Sequence, residues 1–90
     1  MESERRSAMI VNVPPAAVRR RFNLDDWDDD ELISVLLSVK PALDEELAKY
    51  GLRIVFFSDR PASRLPRRLA MVVWASLERE LQDVISVDEL

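Results

Sequence analysis

Residues 25–57 read DDWDDDELISVLLSVKPALDEELAKYGLRIVFF, and their order decides the fold: an acidic entry, a long apolar helix, one glycine and a short strand. Gly51 is the only glycine in the chain of 90 residues, and it stands where the helical pattern Leu43, Leu47, Tyr50 stops. A helix end favours a left-handed residue, and glycine adopts that conformation without steric penalty. Leu52 to Phe57 then form a β-branched and aromatic run, closed by the turn residues Ser58, Asp59, Arg60 and Pro61. The spacing predicts a helix that ends at Gly51 and a strand from Leu52 to Phe57, with Ile54 to Phe57 buried on both faces.

At the other end of that helix, Asp28 followed three residues later by Glu31 fits a capping box. The neighbouring acids lie against the positive end of the helix macrodipole. Six acids in seven residues exceed what capping needs, so part of this charge is expected to face water or a partner. Leu32, Ile33, Val35, Leu36, Leu37 and Val39 make the first half of the helix apolar nearly all round, which predicts burial on more than one side. Pro41 removes an amide donor, so the helix is expected to kink or restart there. Its second half turns Leu43, Leu47 and Tyr50 inward and Asp44, Glu45, Glu46 and Lys49 outward.

Upstream, Met1 to Ser7 is polar and is expected to be mobile. Met9 to Val13 is a strand candidate stopped by Pro14 and Pro15. A brief helix from Pro15 to Phe22 follows, with Ala17, Val18 and Phe22 at helical spacing. Downstream, Leu65, Leu69, Val72, Val73, Leu77, Leu81 and Val84 mark an amphipathic helix from about Leu65 to Val84. Arg64, Arg67 and Arg68 sit at its start, where positive charge opposes the macrodipole.

The expected architecture is α+β in the order strand, helix, helix, strand, helix. Two short strands pack on one long kinked helix and a C-terminal amphipathic helix. Residues 8–85 form a single domain and 86–90 a short tail. The helical crossover favours parallel pairing of the strands. Two strands make a poor sheet alone, so either helices or a second subunit must cover them.

Composition narrows the chemistry. The chain carries 13 basic and 17 acidic residues, for a net charge of −4, with no histidine and no cysteine. Disulfides, thiolate metal sites and thiol or imidazole catalysis are therefore excluded. One glycine excludes the glycine-rich phosphate loops. Asp26, Asp28 and Asp30 match positions 1, 3 and 5 of an EF-hand loop, but Glu31 stands where that loop needs glycine and Leu37 where it needs glutamate. No cofactor or metal is expected, and a non-enzymatic role is the expectation. The longest apolar run, Leu69 to Ala75, is too short to span a bilayer, and no signal peptide is legible, so a cytoplasmic location is expected.

Charge is laid out in blocks: +3 over residues 1–22, −7 over 23–50, +4 over 51–68 and −4 over 69–90. Such blocks compensate one another within a fold or across a symmetric interface, so a homodimer is an open expectation. The expected contact surface is Asp25, Asp26, Trp27, Asp29 and Asp30, which would dock a basic protein partner, as antitoxin, immunity or phage antagonist proteins do. The alternative is phosphate or partner contact through Arg19, Arg20, Arg21, Arg64, Arg67 and Arg68. Ile10 to Leu24, with Val13-Pro14, Val18-Arg19-Arg20 and Phe22-Asn23-Leu24, resembles the opening of the swapped-hairpin (AbrB-type) transcription regulators. That resemblance implies a dimeric DNA-binding regulator using Arg19 to Arg21. Beyond Leu24 the family has a glycine-aspartate turn and further strands, where this chain has aspartates and a helix. The overall acidity counts against nucleic acid as partner.

Overall fold

A computed structural model of the chain describes residues 8–57 and 59–89. The expectation of mobility for Met1 to Ser7 lies outside the described residues. The elements are β1 (Met9–Asn12), α1 (Pro15–Phe22), α2 (Asp29–Leu47), a 3₁₀ turn (Ala48–Tyr50), β2 (Leu52–Val55) and α3 (Arg67–Glu89). This is an α+β fold in the expected order. Gly51 ends the 3₁₀ turn at φ 72°, and α1 occupies its expected span.

β1 and β2 pair in parallel, with Met9 opposite Leu52, Ile10 opposite Arg53, Val11 opposite Ile54 and Asn12 opposite Val55. Val11, Leu52 and Ile54 point into one core with Leu32, Leu36, Val39, Leu43 and Leu47 of α2 and Val73, Leu77 and Leu81 of α3. α2 is the hub, since α1, β2 and α3 all pack on it. Its buried residues recur every three or four positions, the spacing of one helix face.

The question of what completes a two-stranded sheet has an answer at both edges. On the outer edge of β2 the Ile54 amide donates to Asp44 Oδ1 at 3.0 Å, while Lys40 Nζ donates to Asp44 Oδ2 at 2.6 Å. On the outer edge of β1 the Asn12 amide donates to Ser63 Oγ at 2.8 Å, and the Ser63 amide returns a bond to the Asn12 carbonyl at 2.9 Å. A helix carboxylate and a loop serine thus occupy backbone groups that an open edge would offer to another strand.

Several expectations need correction. β2 stops at Val55 rather than Phe57, and its end is not buried on both faces: Val55 and Phe56 are half-buried and Phe57 is 46 % exposed. Helices cover only the inner face of the sheet, and Phe57 leaves the ladder to donate its amide to Asn12 Oδ1 at 2.9 Å. α2 is not buried on two sides either, for Ile33 and Leu37 are 40 % and 58 % exposed. Its packed neighbours leave that flank open. Tyr50 is exposed because the last turn tightens to 3₁₀ geometry, whose three residues per turn rotate it off the Leu43–Leu47 stripe.

The helix does not restart at Pro41, which lies inside α2. Pro41 leaves the Leu37 carbonyl without its helical donor, at a residue that is 58 % exposed. α3 begins at Arg67, two residues later than expected, with the Pro66 carbonyl accepting from the Ala70 amide at 2.9 Å. It continues past Val84 to Glu89. The resemblance to swapped-hairpin regulators ends at Leu24, because α2 stands where those proteins have further strands. Among the described residues no helix is long and apolar enough to cross a membrane.

Candidate protein-docking surface

The acidic entry is built on the end of α1. Arg19, Arg20 and Arg21 occupy the last turn of that helix, where positive charge suits the macrodipole. Asn23 then takes the left-handed conformation at φ 60° and ends the helix, its amide bonding back to the Arg19 carbonyl. Asparagine tolerates this geometry better than other non-glycine residues.

Arg19 turns back under the connection it precedes. Its Nη1 donates to the Leu24 carbonyl at 3.2 Å and to the Trp27 carbonyl at 2.6 Å, and its Nη2 donates to Asp29 Oδ1 at 2.6 Å. The planar guanidinium can reach three acceptors at once, which a single ammonium does less well. The ion pair with Asp29 contributes little alone, because that carboxylate is largely in water. The two carbonyl bonds matter more, since they fix residues 24–27 relative to both helices.

Around this pin, Asp25, Asp26, Asp28, Asp29, Asp30 and Glu31 are all exposed. Trp27 is half-buried and packs on the core, so it is a lid over the helix start rather than a projecting anchor. Asp28 holds the N-cap position of α2 and its carbonyl accepts from the Leu32 amide at 2.9 Å. Its side chain makes no capping bond, so the expected capping box is not formed. Beside the acids an open depression of about 260 Å³ lies between α1 and α2, lined by Pro15, Ala16, Arg19, Asp29 and Ile33. Leu37, one turn beyond Ile33, continues its apolar flank.

The arginines read as phosphate contacts have different surroundings. Arg19 is committed to the pin. Arg21 lies over the Trp74 ring at 5.4 Å, and Trp74 meets Phe22 edge-on at 5.9 Å, which ties α1 to α3. Arg20 faces solvent. Arg64 precedes α3, and Arg67 and Arg68 sit exposed in its first turn.

Asn12 escaped the sequence reading altogether. Its side chain donates to the Arg60 and Pro61 carbonyls at 3.1 and 3.0 Å and accepts from the Phe57 amide, at 7 % exposure. The available signal was a lone amide inside the apolar run Met9 to Val13, since a polar residue in a buried strand needs partners. Comparison of the chain with protein-family models, with curated proteins and with solved structures finds no match.

Proposed function

We propose that this chain is a small protein-binding module, a regulator or inhibitor that docks the acidic start of α2 onto a basic partner protein and works by association rather than catalysis. The observation that carries the proposal is the Arg19 pin, which holds an exposed array of carboxylates beside the Ile33 depression. A surface ordered before binding loses less conformational freedom on binding. Carboxylates around an apolar patch steer a cationic partner and then let its apolar side chains leave water.

The test is a triple variant, Asp25→Lys, Asp26→Lys, Asp30→Lys, which leaves Asp29 on Arg19. Proteins retained by the immobilised wild-type chain should be lost from the variant while its circular dichroism is unchanged. Retention of the same proteins by both would overturn the proposal. A duplex-DNA regulator built on Arg19 to Arg21 has less support, because Arg19 is engaged by the Leu24 and Trp27 carbonyls and Asp29, Arg21 lies over Trp74, and only Arg20 is left facing solvent.

A further inference from the structure

We infer that the acidic surface docks on the basic start of α3 in a second copy of this chain; this rests on the docking role proposed above and names its occupant. The start of α3 is the counterpart of the start of α2 in both charge and apolar content. Arg64, Arg67 and Arg68 are exposed there, and Met71, at 64 %, is the most exposed large hydrophobic side chain among the described residues. Arg67, Arg68 and Met71 lie four and three residues apart and so share one side of the helix. The α2 surface offers the inverse pattern, with Asp26, Asp29 and Asp30 beside the exposed Ile33 and Leu37.

Arginines in a first helical turn oppose the macrodipole, and carboxylates brought against them from another copy would reverse that cost. Each copy carries both surfaces, so a twofold axis makes the contact twice, acid to base and base to acid. Met71 of one copy then fills the flank of Ile33 and Leu37 in the other. The outer edges of the sheet do not supply this contact, because Asp44 and Ser63 already engage them.

A charge exchange tests the pairing. One variant carries Asp26→Lys and Asp30→Lys, the other Arg67→Glu and Arg68→Glu; all four side chains are exposed, so both variants should keep the wild-type circular dichroism. By light scattering the wild type should show twice the 10.4 kDa chain mass, falling to one chain on dilution or in high salt. Each variant alone should show one chain mass, because like charges meet at both contacts. Their equimolar mixture should regain the doubled mass, because both contacts are again complementary.

A wild type that stays at one chain mass at every concentration overturns the inference. So does a dimer that either variant leaves intact, or a mixture that fails to re-pair. If the wild type is monomeric and the lysine substitutions still abolish capture of another protein, the second-copy partner falls and the acidic docking surface stands. If capture survives those substitutions, the docking surface itself falls.

Discussion

Two connections lead into the long helices, and each is fastened by one side chain of an earlier element. Residues 23–28 lead into α2 and are held by the Arg19 guanidinium, at a partly exposed site where three acceptors face it. The segment between β2 and α3 is held by the Asn12 carboxamide, at a buried site where two carbonyls and one amide face it. The difference follows from hydrogen-bond inventory. A guanidinium donates and cannot accept, so it suits a set of carbonyls and a carboxylate in contact with water. A carboxamide both donates and accepts and carries no charge, so it can satisfy a mixed set without burying an ion.

Breaking the neutral fastening should have the largest effect. Asn12→Asp removes both donors and sets a carboxylate against the Arg60 and Pro61 carbonyls. Leaving those groups unsatisfied and burying a charge should cost about 3 kcal/mol. A urea titration would read it as a lower midpoint with an unchanged slope. A loss well under 1 kcal/mol would mean that the segment does not depend on Asn12.

The charged fastening should cost less, because water can replace part of it. Arg19→Ala is expected to lose about 2 kcal/mol, and Arg19→Lys to recover only a fraction, since one ammonium cannot span the Leu24 and Trp27 carbonyls and Asp29 together. Equal stability of the lysine and arginine proteins would show that the fork geometry is unimportant.

The contrast between the fastenings also explains what could be read from the sequence. Helical spacing located α1, α2 and α3, because burial of one face repeats every three or four residues along a helix, and apolar runs ended by prolines or turn residues located both strands. Gly51 announced its turn because its left-handed conformation is costly for other residues. Asn23, which ends α1 in the same conformation, did not, because asparagine is also common in ordinary loops. The acidic entry was legible as charge. The groups it encloses were not, since a run of three arginines does not reveal that one will turn back on two carbonyls while another lies over an indole. Partners separated by about fifty residues, as Asn12 is from Arg60 and Ser63, leave no local pattern at all.

The helix starts sharpen the comparison further, because they carry charges of opposite sign. Acids fill the first turn of α2, whereas α3 opens on Arg67 and Arg68 behind Pro66, which has no side chain able to cap. In dilute protein at low salt, replacing both arginines by glutamate should raise stability by about 0.5 to 1 kcal/mol, and added salt should erase most of the gain. A loss of stability instead would mean that those arginines hold the fold together.

The smallest effect is expected at Asp28, where the two kinds of stabilisation at a helix start can be separated. An aspartate that caps through its side chain typically costs about 1 kcal/mol when cut to alanine. The Asp28 carboxylate makes no such bond, so only its field on the macrodipole is lost, a few tenths of a kcal/mol. Asp28→Asn keeps the capping ability and removes the charge, so it should match Asp28→Ala if the field alone matters. If the alanine protein is instead less stable than the asparagine protein by about 1 kcal/mol, the side chain caps α2 in solution. The start of α2 would then owe its stability to a hydrogen bond as well as to charge, and the excess of acids around it would be freer still to face a partner.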